Sequence, residues 1–200
     1  MDEPHDHPAH YMYCVNGGTL KLMPPPAPIS YLLSSFTLTM KTGEAPIIPA
    51  GPHRVANMGK TEPKIVFLEP FKNIPPVQEL PGFVSPFAVY KQGYKKLGED
   101  KDWIIGKMTM KAGASDPPHS HYDHIVYVLS GSTIAIMPIP DMSKPGAFAE
   151  KMEVPLTPGM SIPVPAGHHY IKCGEGDCEL IFFERKGPGS DSASCACTIM

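Results

Sequence analysis

The hydrophobic segments of this chain are short, rich in β-branched and aromatic residues, and cut off by proline and glycine before they reach helical length. Phe36-Thr-Leu-Thr-Met40 alternates apolar and polar positions with the period of two that a half-buried strand requires, and strand character extends back to Ile29. Thr19-Leu-Lys-Leu-Met23 is a further short strand, ended by Pro24-Pro-Pro-Ala-Pro28, which lacks the N–H groups of a sheet ladder and must be loop. Asp102-Trp-Ile-Ile-Gly-Lys-Met-Thr-Met-Lys111 predicts a strand, and Lys64-Ile-Val-Phe-Leu-Glu69 matches Glu179-Leu-Ile-Phe-Phe-Glu184 as a pair of closing strands. Pro86-Phe-Ala-Val-Tyr90 reads as an edge strand or a short helix, Lys95 to Asp102 as a solvated turn, and the chain from Lys186 onward as a disordered tail. The pattern as a whole predicts an all-β fold.

Composition supports that reading, since 25 prolines and 18 glycines are high for a helical protein. Two hundred residues suit one medium domain or two small ones. A net charge of -3 with no block of lysine and arginine gives no electrostatic reason to expect nucleic acid as a partner. No apolar run is long enough to cross a bilayer, and Met1 to Asp6 has neither the basic region nor the apolar stretch of a signal peptide, so the expected location is cytoplasmic. Five cysteines, an odd number in a reducing compartment, argue against a disulfide framework, although Cys173 and Cys178 flank a Gly-Glu-Gly-Asp hairpin that would set them opposite each other.

The candidate chemistry lies in His119-Ser-His121-Tyr-Asp-His124-Ile-Val-Tyr-Val-Leu-Ser-Gly131. Side chains two apart on a strand share a face, so His119 and His121 point the same way, and a turn folds His124 back towards them. Three neutral imidazoles converging on one point make a metal site. About forty residues on, Gly159-Met-Ser-Ile-Pro-Val-Pro165-Ala-Gly167-His168-His169 supplies a second histidine-bearing strand behind a Pro-Ala-Gly turn. The N-terminus repeats the whole arrangement: His5-Asp-His7-Pro-Ala-His10-Tyr-Met-Tyr-Cys-Val-Asn-Gly17 has the spacing of His119 to Gly131, and Gly43-Glu-Ala-Pro-Ile-Ile-Pro49-Ala-Gly51-Pro52-His53 has that of Gly159 to His169. A repeat of this length is a duplication.

These two stretches resemble the two sequence motifs of the cupin superfamily, a His-x-His pair followed by a strand ending in glycine, then Gly-x5-Pro-x-Gly and another histidine. The resemblance spans about Trp103 to Arg185 and, through the repeat, implies a bicupin: two double-stranded β-helix (jelly-roll) barrels in tandem. The implied layout is an N-terminal half over 1–71, a connector over 72–101, a C-terminal barrel over 102–186 and a tail over 187–200. The first half opens on His5 with nothing corresponding to Asp102–Lys111 before it. Its opening strands come from the segment between the repeats, from another subunit in a homodimer, or from sequence preceding this start. One departure from the family pattern is that His124 occupies the position where most cupins carry a metal-binding glutamate, with the interval after His121 one residue shorter than usual.

The implied ligands are His119, His121, His124 and His169 in the second half and His5, His7, His10 and His53 in the first. The repeat sets Pro52 against His168 and His53 against His169, which makes His169 the ligand and turns His168 the other way. An all-nitrogen set leans towards iron, zinc, copper or nickel rather than manganese. Met12 and Cys14 share the inner face of the first half, as core residues or as a soft lining, where the second half has Val126 and Val128. Asn57 matches the asparagine that ends the family's second motif, and Cys173 replaces it in the other half. Tyr122, Tyr127 and Tyr170 are candidate proton donors or simply packing, and the sequence assigns no catalytic residue. The activity implied is that of a metal-dependent oxygenase acting on a small molecule; an isomerase or lyase, or a metal or ligand sensor, are the alternatives, and four histidines per half argue against a storage-type barrel that has lost its ligands. Separately, Cys197-Thr-Ile-Met200 fits the C-a-a-X prenylation pattern, with Cys195 available for a second lipid, which predicts attachment to a membrane surface.

Overall fold

A computed structural model describes residues 5–23, 35–69, 93–140, 143, 148–188 and 190. Among them the chain forms strands and no α-helix. It divides into two compact units, Met1–Ile74 and Pro75–Met200.

In the first unit the strands are β1 (His5–His7), β2 (His10–Asn16), β3 (Gly18–Met23), β4 (Phe36–Met40), β5 (Ile47–Ile48), β6 (Gly51–Asn57) and β7 (Lys64–Leu68). They form two sheets, ordered β1-β6-β3-β4 and β5-β2-β7. The second unit contains β8 (Tyr94–Glu99), β9 (Trp103–Met110), β10 (His119–His121), β11 (His124–Ser130), β12 (Thr133–Pro140), β13 (Phe148–Leu156), β14 (Ser161–Val164), β15 (Gly167–Cys173) and β16 (Cys178–Arg185). Its sheets are β10-β15-β12-β13 and β14-β11-β16-β9-β8, so β10 to β16 reproduce β1 to β7 strand for strand.

The duplication extends to irregularities that the hydrophobic pattern does not show. The β2–β7 ladder shifts register between Cys14 and Asn16, and the β11–β16 ladder does so between the equivalent Val128 and Ser130. The Pro-Ala-Gly turns place Gly51 and Gly167 at φ of 135° and 137°, a region that essentially only glycine occupies.

Each unit fills the space between its two sheets with apolar side chains. In the second, Met108, Met110, Val126, Val128, Leu180 and Phe182 from one sheet meet Ala135, Leu156, Ile171 and Cys173 from the other. In the first, Met12, Cys14, Leu20, Leu22, Met40 and Ile48 do the same work. Met12 and Cys14 are thus core residues, as expected of side chains on the inner face of β2. Cys14, Cys173 and Cys178 are buried free thiols.

Two expectations are corrected. Most of the stretch from Lys95 to Asp102 is not a solvated turn: β8 pairs antiparallel with β9, its Lys-Lys-Leu-Gly-Glu stretch having the exposed face of an edge strand. Nor is the chain disordered directly from Lys186 onward. The Lys186 N–H donates to Asp102, Gly187 and Ser190 bond each other, and Tyr122 donates its hydroxyl proton to the Pro188 carbonyl. Among the described residues nothing extends β7 as β9 and β8 extend β16. Phe67 on β7 is accordingly half exposed, whereas its counterpart Phe182 is buried. The stretch Pro86–Tyr90, Pro24–Pro28 and residues 29–34 lie outside the described residues.

Candidate metal centre

His119 and His121 reach the centre of the second barrel because β10 presents alternate residues to the same face, and β10 pairs with β15 so that His119 lies opposite His169. All three are buried, and their ligand atoms lie within 4.8 Å of one another. His124, the first residue of β11, stands beside these three without joining the group whose ligand atoms lie within 4.8 Å, its centroid 4.9 Å from that of His169 and 5.7 Å from that of His121. Phe182 stacks on the His124 ring at 5.5 Å. His168, as the alternation requires, is exposed on the other face.

The hydrogen bonds set the imidazole tautomers. Nδ1 of His119, His124 and His169 lies 2.6, 2.8 and 2.9 Å from the carbonyls of Pro117, Tyr122 and Gly167. Carbonyls only accept, so Nδ1 carries the proton and Nε2 keeps its lone pair. The Nε2 atoms of His124 and His169 are buried with no hydrogen-bond partner among the described residues. Orphaned acceptors converging in a protein interior are costly unless something electron-poor joins them, and a divalent cation is the species that fits an all-imidazole set.

Electrostatics agree with this geometry. Burial, and then the neighbouring His119, hold His121 well below the usual imidazole range. Burial and then His121 push His124 down to about 3, and burial followed by the other imidazoles pushes His169 down to about 2. These three rings, His121, His124 and His169, are thereby held in the neutral form that binds metal.

Three residues at the site escaped sequence reasoning. Glu184, on the inner face of β16 and directly across from His124, is buried with Oε1 at 3.3 Å from His121 Nδ1. With His121 neutral, this is a contact between a ring nitrogen and a carboxyl rather than an ion pair, and as the groups stand it is not aligned as a hydrogen bond. Burial raises the Glu184 carboxyl to about 8. Asp116, also buried, accepts the Ile171 N–H and lies 3.8 Å from His119 Nδ1. Tyr94 projects inward from β8 over Gly106, where any side chain would collide with its ring. Burial, with Glu184 and Glu99 nearby, raises its phenol pKa. The alternation along Cys178-Glu-Leu-Ile-Phe-Phe-Glu184 carried the signal for the glutamate, which shares a face with Cys178, Leu180 and Phe182.

Of the candidate tyrosines, Tyr122 spends its hydroxyl on Pro188, and Tyr170 lies beneath the Lys151 ammonium at 5.7 Å. Tyr127 alternates away from the inward-facing Val126 and Val128. Cys173 directs its thiol to the Gly176 carbonyl.

In the first unit, β1 pairs with β6 so that His5 lies across from His53, the same register as His119 and His169. His10 and His53 are buried, their rings 5.7 Å apart, and each holds Nδ1 near a carbonyl two residues earlier, on Pro8 and Gly51. The side chains of His5 and His7 lie outside what the structure describes, as do Cys195 and Cys197.

No family model matches the chain, and no curated protein matches it. Solved structures do. Oxalate decarboxylase from Bacillus subtilis superposes with a TM-score of 0.64 at 15% identity over 92% of this chain and 64% of that one. Vicilin from hazelnut, Corylus avellana, gives 0.60 at 12% identity over 92% and 70%. A cupin 2 conserved barrel domain protein from Leptotrichia buccalis gives 0.50 at 16% identity over 92% and 79%. Another structure of the Bacillus enzyme, at a TM-score of 0.62 and 14% identity, is described by its Mn(II) centres.

Proposed function

We propose that this chain, a cupin in fold and a bicupin by its internal duplication, is a metal-dependent oxygenase acting on a small molecule. One observation supports the reading above others: three buried histidines with ligand atoms within 4.8 Å of one another, two of them fixed in the metal-binding tautomer by backbone carbonyls. His119, His121 and His169, with His124 beside them, would hold a divalent transition metal. When bound, such an ion offers open positions for a small substrate and dioxygen together. The chain's own part is to orient the imidazoles, to line the approach with apolar side chains such as Val126 and Phe182, and to keep water from the barrel interior.

A lyase or isomerase is the second reading, and the buried carboxyl of Glu184 favours it. A buried carboxyl 3.3 Å from a ring nitrogen of the cluster is placed to take up and return a proton, which suits proton transfer better than oxygen chemistry. Iron, zinc, copper or nickel suits the all-nitrogen donors best, with manganese, as in the Bacillus enzyme, the alternative to test. We propose the cytoplasm as the location, with attachment to a membrane surface where Cys197 is prenylated.

Oxygen uptake by the iron-loaded protein over diketones, flavonols, thiols and aromatic acids separates the readings. Substrate-dependent uptake supports an oxygenase; turnover of a carboxylic acid without uptake supports the lyase.

A further inference from the structure

Three of the four histidines in the second barrel are oriented by the same device, an Nδ1–H directed to the carbonyl two residues earlier. His10 and His53 repeat it in the first barrel. His121 departs from it. Its Nδ1 faces Oε1 of Glu184 at 3.3 Å, in surroundings that leave both side chains almost wholly buried.

Packing on this face does not call for a glutamate; the carboxyl takes one hydrogen bond from the Tyr122 backbone, and Oε1 is left facing His121. Cys178, Leu180 and Phe182 occupy the same face of β16, and an apolar residue at 184 would avoid the cost of burying a carboxyl. The first half nonetheless carries the same residue. Glu69 follows Lys64-Ile-Val-Phe-Leu68 as Glu184 follows Glu179-Leu-Ile-Phe-Phe183, and of these six paired positions only the phenylalanine and the glutamate are identical. Oε1 of Glu69 is likewise buried. A costly carboxyl that the duplication keeps in both halves, while neighbouring positions diverge, has a role in what the halves share, which is the histidine cluster.

We infer that Glu184 is a positioning residue of the centre, accepting the Nδ1 proton of His121 and so turning the Nε2 lone pair of that ring to the ion, the task backbone carbonyls perform for the other three. The inference rests on the metal-binding reading above. Beside a bound divalent cation the Glu184 carboxyl is held in its ionised form, and a carboxylate acceptor makes an imidazole a stronger donor than a carbonyl acceptor does, so His121 is the most basic ligand of the loaded set. It also returns to the site a negative charge that a histidine at position 124 does not supply.

The test uses the full chain, labelled with 15N-histidine and stripped of metal, with long-range 1H–15N spectra reporting the tautomer of each ring. Wild-type His121 should be protonated on Nδ1. Glu184→Leu should release His121 to the Nε2–H or a mixed form, leave His119, His124 and His169 unchanged, and weaken Co2+ binding, followed by visible absorption, about 10- to 100-fold. Glu184→Gln carries the test if the leucine variant does not fold: its amide oxygen still accepts, so the tautomer stays, while loss of the charge weakens Co2+ binding by about fivefold or more. An unchanged His121 tautomer in Glu184→Leu, or Co2+ affinity within about twofold of wild type in Glu184→Gln, overturns the inference. A wild type whose His121 tautomer depends on Glu184 but which takes up no Co2+ upholds the positioning role and removes the metal-binding reading instead.

Discussion

His119 lies directly opposite His169 in the antiparallel β10–β15 ladder, and that single register brings two histidines about fifty residues apart in sequence to one point. Shifting it by one residue would turn His169 outward and bring exposed His168 in. The Gly167 turn that feeds β15 therefore fixes the register of the site. Gly167→Ala, at φ 137° with open space around the new methyl, should cost about 1–3 kcal/mol in backbone strain alone. Gly131→Ala should cost more, because its φ of 73° is joined by a collision with Asp177 and Cys178. Urea denaturation of both variants checks the order; equal midpoints would contradict it.

The metal-free protein should be most stable near pH 6.5. His121, His124 and His169 take protons near 6.5 when unfolded but resist them in the fold, so stability is full above about 6.5 and drains away as pH falls towards 3. Glu184 acts in the opposite direction. Its carboxyl ionises near 4.5 when unfolded but near 8 in the fold, so its contribution is full below 4.5 and lost as pH rises through 8. Denaturant midpoints of chelator-treated protein at about pH 5, 6.5 and 8 measure both limbs. Glu184→Gln should flatten the alkaline limb and steepen the acid one, since the opposing contribution of the carboxyl between pH 4.5 and 8 is removed, and a midpoint that rises on acidification would contradict the buried neutral histidines.

His124 should tune which metal is held. His124→Glu replaces a neutral donor by a carboxylate and should move the preference from zinc or iron towards manganese while keeping metal bound. Competition between Mn2+ and Zn2+, read by elemental analysis, checks it. An unchanged ratio would place His124 outside the coordination sphere.

Much of the fold was legible because the strands alternate and the glycines repeat. Phe36–Met40 became β4, Lys64–Leu68 became β7, and Asp102–Lys111 contains the whole of β9. The choice of His169 over His168 followed from the internal repeat and from strand alternation, and the exposure of His168 agrees. What escaped was set by tertiary context. Tyr94–Glu99 has the charged composition of a turn, yet becomes a strand because β9 offers it an edge. Glu184 looked like the end of a hydrophobic run, and only the β11–β16 register shows that it faces His124 and approaches His121. The Lys186–Pro188 segment has a polar, flexible composition but is held by Tyr122, a contact no local pattern encodes.

The central claim is that the second barrel holds a metal ion on its buried histidines. Elemental analysis of the protein as purified, beside His119→Ala plus His121→Ala, tests it most directly. We expect between one and two transition-metal ions per chain in the wild type, the second barrel better occupied, and loss of about one ion per chain in the double variant, since two of its three closest ligands are gone. A folded double variant that retains the full metal content of the wild type would contradict the account.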